Sequence, residues 1–144
     1  MALVRFLFRS GFMWFVFTFL ALAPQESVRA EWVALNMPEQ SSGLQTVYID
    51  AAATRHIGHL VTVVTLIDWK WMQGNRSPTR FYSTKLTKRF DCSKTRLQRL
   101  SYTDFYGHMG TGRVIAAYEG ESSWYPVEPE SLDHTLWEIA CRKE

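Results

Sequence analysis

Residues 60–71 read LVTVVTLIDWKW, a run of β-branched, aromatic and other apolar side chains that is interrupted only by threonines, Asp68 and Lys70. β-Branched and aromatic residues favour extended backbone, and the run lacks the spacing of an amphipathic helix. It therefore predicts a long strand. Gly58 precedes the strand, and the sequence GNRSP at residues 74–78 follows it as a loop.

Further strand candidates lie on both sides of this run. They are residues 32–35, 44–50, 81–92, 95–106 and 113–118. The first two are spaced as a hairpin, and a tight turn around Ser93 and Lys94 joins residues 81–92 to residues 95–106. Strands that follow one another through short connections predict an antiparallel meander of about six strands.

The last segment has helical spacing. Ser131 is placed to accept a hydrogen bond from a free backbone N–H as the N-cap, and Asp133 suits the positive end of the helix dipole. The apolar residues that share one face are Leu132, Leu136 and Ile139, with Trp137 and Cys141 on its flank. A helix of about three turns, packed on one face of the sheet, gives an α+β fold.

The amino-terminal 30 residues have the order of a secretory signal peptide. Arg5 and Arg9 precede an uninterrupted apolar run at residues 11–23, and Pro24 ends that run. Val28 and Ala30 then stand at positions −3 and −1 of a cleavage site before Glu31. The run is shorter than the roughly 20 residues that span a bilayer. We therefore expect a signal peptide at residues 1–30, one domain at residues 31–144 and no transmembrane segment after cleavage, with a retained anchor as the alternative.

Composition excludes several classes of protein. The 144 residues are 47% hydrophobic and 21% charged, which is close to globular averages and unlike disordered or fibrous chains. Residues 1–30 contain Arg5, Arg9, Arg29 and Glu26, and without them the basic and acidic residues are equal in number. A neutral exported domain is a poor candidate for binding nucleic acid.

Cys92 and Cys141 are the only two cysteines. An even count in an exported chain favours a structural disulfide, which would tie the helix to the end of a strand. Two free thiols are the alternative. A redox pair is disfavoured, because such pairs usually occur as Cys-x-x-Cys.

Short motifs offer no clear catalytic or metal chemistry. The tetrapeptide HIGH at residues 56–59 matches a synthetase signature, but it lies between predicted strands rather than at a helix start. The glycine-rich residues 107–112 precede a strand and lack the Lys-Ser/Thr ending of a phosphate loop. His108 and His134 stand alone, so we expect no metal, cofactor or nucleophile. A small hydrolase would have to use the acidic residues Glu119, Glu121, Glu128 and Glu130, which are typical of a solvated face.

Charge is unevenly distributed along the chain. Residues 114–141 are acidic and contain no Lys or Arg, whereas residues 76–99 are strongly basic with Asp91 as their one acid. The basic residues that we select as a candidate binding stripe are Lys85, Lys88, Arg89, Lys94, Arg96 and Arg99. On adjacent strands they could meet an acidic protein or a sulfated glycan. The alternative is that they only keep the sheet soluble and unaggregated.

Several segments, taken in order, resemble the bacterial surface-adhesin protein E family. These segments are WV at 32–33, VYID at 47–50, VTV at 61–63, LIDWK at 66–70, FDC at 90–92, MGTGRVI at 109–115, WYPV at 124–127 and LWE at 136–138, with Pro129, Ser131 and Cys141. The resemblance implies an antiparallel sheet with a carboxy-terminal helix tied by a disulfide, in agreement with the pattern of strands and helix.

The same resemblance implies a function. Members after which the family is named bind host matrix and plasma proteins such as vitronectin and laminin, and they are held at the outer membrane through an amino-terminal cysteine. This chain has no such cysteine, so we expect it to be exported without a lipid anchor. Our leading hypothesis is a non-enzymatic binding module in the periplasm, at the cell surface or secreted. The alternative is a periplasmic structural or envelope-assembly protein with no host ligand. The sequence does not indicate an oligomeric state.

Overall fold

The structure is a computed structural model that describes residues 30–36 and 43–142. The predicted signal peptide, apart from Ala30, therefore lies outside the described residues. The strands are β1 (Trp32–Ala34), β2 (Gln45–Asp50), β3 (Arg55–Ile57), β4 (Leu60–Gln73), β5 (Phe81–Asp91), β6 (Arg96–Phe105), β7 (Val114–Glu119) and β8 (Tyr125–Pro126). A single-turn 3-10 helix, His108–Gly110, precedes β7, and helix α1 (Leu132–Cys141) follows β8.

All eight described strands form one antiparallel sheet. Six of them lie in the order β1-β2-β4-β5-β6-β7, while β3 pairs with β4 and β8 pairs with β6. The predicted meander of about six strands is confirmed, and the sequence missed only the two short strands β3 and β8. Neither could be recognised from its side chains, because β3 is exposed along its whole length and β8 has two residues.

The hydrophobic core lies between α1 and one face of the sheet, here called the helix face. Its strand residues include Val61 and Val63 of β4 and Phe90 of β5, and Val61 lies directly opposite Phe90. Leu136 and Ala140 fill the space from the helix side, 1% and 5% exposed respectively. These two residues are one helical turn apart, so they lie on the same face of α1, as expected for an amphipathic helix.

The structure of α1 confirms the predicted N-cap but exposes one residue that was expected on the buried face. The Ser131 side chain accepts a hydrogen bond from the backbone N–H of His134 at 3.1 Å, which confirms the predicted N-cap. Ile139, which was expected on the buried face, is 37% exposed. Leu132, Leu136 and Ala140 are spaced four residues apart, so they lie on one face of α1, which contacts the sheet. Ile139 lies to the side of that face.

The disulfide between Cys92 and Cys141 is present, with an S–S distance of 2.00 Å and Cα atoms 5.5 Å apart. It joins the end of α1 to the turn between β5 and β6, as predicted, and excludes the free thiols left open by the sequence. The Trp137 indole N–H also donates to the Asp91 carbonyl oxygen at 3.4 Å, beside the bridge. The carboxy-terminal half of the helix is therefore held to the sheet by one covalent bond and one hydrogen bond.

Asp91 organises the turn that carries Cys92. Its carboxylate is fully buried and accepts hydrogen bonds from the Ser93 backbone N–H at 3.0 Å, from the Ser93 hydroxyl at 2.6 Å and from Arg96 Nε at 3.0 Å. Burial alone would raise the pKa of Asp91, but these hydrogen bonds and the charge of Arg96 hold that pKa at about 2. Thr95 closes the turn with a positive φ of 46°.

The opposite face of the sheet carries a second, smaller packed region. The 3-10 turn at residues 108–110 lies over β4 and β5, and Gly110 lies close to the Leu66 side chain. The Ser83 hydroxyl donates to the Gly107 carbonyl oxygen at 2.6 Å and accepts from the Gly110 N–H at 2.9 Å. The glycine-rich segment is therefore a structural cover for the sheet.

Replacing Cys92 and Cys141 together with alanine should lower the free energy of unfolding. The bridge closes a loop with a sequence separation of 49 residues, for which constraint of the unfolded chain contributes about 4 kcal/mol. Urea unfolding, followed by circular dichroism, measures the loss. Wild-type protein treated with a reductant should lose a similar amount, and an unchanged midpoint in both samples would contradict a stabilising bridge.

Asp91 should make stability depend on acid. Its pKa lies at about 2 in the folded protein against an ordinary 3.8, so its contribution is complete above about pH 4 and is lost as the pH falls toward 2. Asp91→Asn should cost about 1–3 kcal/mol at neutral pH and flatten the pH dependence in that range. Urea midpoints between pH 2 and pH 7 measure both effects. Asp104→Asn, elsewhere on the sheet, should keep the acid-dependent loss, and an identical slope in Asp91→Asn would refute the assignment.

Candidate functional site: the basic residues and a tyrosine surface

The six basic residues selected from the sequence do not share one face of the sheet. Lys85 lies opposite Leu66 of β4, on the face away from α1. Lys88 and Arg99 lie opposite each other on β5 and β6, on the helix face. Lys94 lies exposed in the turn between β5 and β6. The basic run therefore divides between the two faces and the turn, because neighbouring side chains on a strand point in opposite directions.

Three of the six form ion pairs inside the molecule. Arg96 pairs with the buried Asp91, and Arg89 Nη1 lies 2.9 Å from Glu121 Oε1. The third, Lys88, is only 8% exposed and pairs with Asp133 in the first turn of α1. A cation that is buried and paired in this way positions the helix. It is not available to a partner.

The remaining three, Lys85, Lys94 and Arg99, are exposed and make no ion pair with the described residues. Arg99 differs from the two lysines in its surroundings. Its guanidinium carbon lies 5.5 Å from the centre of the Tyr102 ring, close enough for a cation–π contact. Lys85 and Lys94 have no aromatic neighbour of this kind among the described residues.

Arg99 and three tyrosines form a surface at the amino-terminal end of α1, here called the tyrosine surface. Tyr102 of β6 and Tyr118 of β7 lie opposite each other, with ring centroids 6.1 Å apart and nearly parallel planes. Tyr125 of β8 is 39% exposed. Partial burial raises the pKa of Tyr125, the charge of Asp133 adds to that effect, and the charge of Arg99 opposes it. Sequence analysis missed this cluster, because the tyrosines come from three strands whose register was unknown.

A concave region lies at the other, carboxy-terminal end of α1. A groove of about 1180 Å³ separates the end of the helix from the β3–β4 hairpin, and its lining includes His56, His59, Ile139 and the two bridged cysteines. Both histidines are exposed at its edge. Specific ligand pockets bring several polar groups to one point. The walls of this groove are mainly apolar and its two histidines are exposed to solvent, so we assign no ligand to it.

The titratable side chains give little basis for catalysis or metal binding. His108 Nδ1 lies 3.2 Å from the Asp68 carboxylate, an arrangement that can orient an imidazole. The nearby Ser83 hydroxyl is fully buried and already donates to Gly107, so it is not placed as a nucleophile. Within residues 30–36 and 43–142, no three His, Cys, Asp or Glu side chains converge on a possible metal position.

Glu119, Glu121, Glu128 and Glu130, the acids that a hydrolase would need, are all exposed. Glu121 is occupied by Arg89. The described part of the chain also contains no helix long and apolar enough to span a membrane.

The family model for surface-adhesin protein E matches residues 32–142, nearly the whole of the described chain. The chain belongs to the surface-adhesin protein E family. The match covers both the strands that carry the tyrosine surface and the helix with its disulfide. The family assignment suggested by the sequence is thereby confirmed, and the chain is a surface adhesin-like module.

Solved structures agree at the level of the fold. Crystal form II of Haemophilus influenzae protein E has a TM-score of 0.59 and 16% identity, covering 83% of this chain and 94% of that one. Protein E from non-typeable Haemophilus influenzae has a TM-score of 0.58 and 16% identity, covering 83% and 81% respectively. No curated protein sequence matches the chain. At this level of identity the similarity establishes a shared architecture. The binding surfaces have to be assigned from the residues of this chain.

Proposed function

We propose that this chain is an exported, non-enzymatic binding module that contacts an acidic protein or acidic glycan through the tyrosine surface. The observation that carries the proposal is the position of Arg99, which is exposed, unpaired among the described residues and 5.5 Å from the centre of the Tyr102 ring. Arg and Tyr are the residue types that contribute most to protein interfaces, because they combine a large apolar area with polar groups. Membership of an adhesin family supports the same type of activity.

The tyrosine surface is preferred to the full basic stripe for an electrostatic reason. Lys88, Arg89 and Arg96 already have carboxylate partners, so a ligand would have to compete with intramolecular ion pairs. Arg99 has no such competitor among the described residues. Its guanidinium is planar and can bind a carboxylate or sulfate with two parallel hydrogen bonds.

Export is supported by two independent features of the chain. The first is the sequence of residues 1–30, which has the charge, apolar run and cleavage site of a signal peptide. The second is the disulfide, since such bonds persist mainly in oxidising compartments. We propose that the mature domain, residues 31–144, is released without a lipid anchor. Adhesion requires the domain to be at the cell surface, whereas an envelope role requires it to remain in the periplasm.

Charge reversal at Arg99 should weaken binding far more than reversal at Lys85. We expect Arg99→Glu to reduce affinity for immobilised vitronectin, laminin or heparin about 30-fold or more, because an interface arginine of this kind commonly contributes about 2 kcal/mol or more. Lys85→Glu, on the other face of the sheet, changes the net charge equally and serves as the matched control. Surface plasmon resonance at two salt concentrations measures both.

Tyr118→Ala should produce a similar loss without added charge, since the exposed ring contributes mainly contact area. Thermal unfolding of each variant should stay close to wild type. Equal losses for Lys85→Glu and Arg99→Glu would indicate nonspecific attraction. Full affinity in both the Arg99 and Tyr118 variants would remove the tyrosine surface from the proposal.

Protease treatment of intact cells decides the site of action. If the module is an adhesin, detection of residues 31–144 should be lost while a periplasmic marker survives. Full protection of both would favour the alternative, a periplasmic protein of the envelope. Cells opened before treatment are the control, because they show that the folded domain can be digested at all.

A further inference from the structure

The hairpin between β4 and β5 projects beyond the strands on either side of it. The last residue of β4 that pairs with β2 is Trp69, opposite Gln45, and β4 continues to Gln73. On the other side, β6 reaches β5 only as far as Ser83, whereas β5 begins at Phe81. The connecting residues 74–80 are all exposed. Residues 70–81 therefore form an extension of the sheet, here called the hairpin tip.

The hairpin tip is purely basic. It carries Lys70, Arg76 and Arg80, all of which are exposed, and the sequence contains no Asp or Glu between Trp69 and Phe90. None of these three cations forms an ion pair with a described residue. This differs from the region around β5 and β6, where Lys88, Arg89 and Arg96 are neutralised.

The same extension exposes apolar area. Trp71 is 63% exposed, and the Lys70 ammonium lies 5.6 Å from the centre of its ring. Leu44, outside the tip and just before β2, lies beside it: its side chain is 50% exposed, and its carbonyl oxygen accepts from the Lys70 N–H at 2.8 Å. Burial of a tryptophan side chain of this size is worth a few kcal/mol, so Trp71 offers a partner a large apolar contact area.

An exposed tryptophan among unpaired cations fits the boundary between water and lipid. The indole ring is amphipathic and favours the level of the lipid headgroups, while Lys and Arg are attracted by anionic lipid phosphates. A bilayer surface is broad and lacks fixed contact points, so it suits a projecting tip. Residues 74–80 are all exposed, so the tip presents an open surface to such a bilayer.

We propose that the hairpin tip docks reversibly on the surface of an anionic phospholipid bilayer. Trp71 and Leu44 enter the headgroup region, and Lys70, Arg76 and Arg80 lie against the lipid phosphates. This contact lies at the opposite end of β5 from the turn that carries Lys94. A module held in this way by its tip leaves the tyrosine surface free for a partner.

Co-sedimentation with vesicles tests the proposal on exported protein, whose processed amino terminus is checked by mass spectrometry. The vesicles contain either phosphatidylcholine alone or phosphatidylcholine in which one third of the lipid is replaced by phosphatidylglycerol. We expect binding to the anionic vesicles only. Arg76→Gln with Arg80→Gln should reduce the partition coefficient about 25-fold, since each cation near such a surface contributes about fivefold.

Lys85→Gln with Lys94→Gln is the matched control, because it removes the same charge outside the tip and outside the tyrosine surface and should bind these vesicles as wild type does. Trp71→Phe should lose the blue shift in tryptophan emission that accompanies binding. The control variant and Trp71→Phe alter only exposed residues, so each should keep the wild-type melting temperature.

Three outcomes would overturn the proposal. They are equal binding to neutral and anionic vesicles, wild-type binding by the Arg76/Arg80 variant, and displacement by inorganic phosphate beyond that caused by sodium chloride at equal ionic strength. The last would indicate a discrete phosphate site in place of a bilayer contact. All variants share one amino terminus, so any binding through that end would leave the differences between them unchanged. The vesicle assay is also independent of the tyrosine surface, so either proposal can fail alone.

Discussion

The packing of α1 against the helix face is the contact on which the rest of the structure depends. A sheet alone would leave Val61, Val63 and Phe90 in water, and α1 supplies Leu136 and Ala140 to cover them. A helix of ten residues is marginal by itself. It is therefore held at both ends, by the Ser131 cap and the Lys88–Asp133 pair at one end and by the disulfide at the other.

The covalent end of this arrangement depends on a buried carboxylate. Asp91 fixes the turn that presents Cys92, and its four contacts with Ser93, Arg96 and Trp137 (the last through the backbone carbonyl) involve both the sheet and the helix. Burying an ionised group is costly unless hydrogen bonds replace its water. Here the Ser93 N–H, the Ser93 hydroxyl and Arg96 replace that water and lower the pKa of Asp91, so the charge is part of the fold.

Ion pairing also distinguishes the cations that stabilise the fold from those that are available to a binding partner. Strand alternation turns Lys88 toward α1 and Lys85 away from it, and the register brings Arg89 near Glu121. Lys85, Lys94, Arg99 and the cations of the hairpin tip make no ion pair with the described residues, and of these Arg99 and Lys70 lie beside an aromatic ring. A strongly basic segment of sequence thus becomes two small surfaces with different aromatic partners, Tyr102 in one and Trp71 in the other.

The sequence by itself determined the elements that follow from local pattern. The β-branched run at residues 60–71 specified the long strand, and the spacing of Ser131, Leu132 and Leu136 specified the helix. The two cysteines in a chain with a signal-like start favoured the bridge. Only the tertiary structure decided which cations are paired and that Tyr102, Tyr118 and Tyr125 meet. Those facts depend on strand register and on contacts between residues far apart in the chain. Local periodicity carries no information about such contacts, because a shift of one residue moves every side chain to the other face.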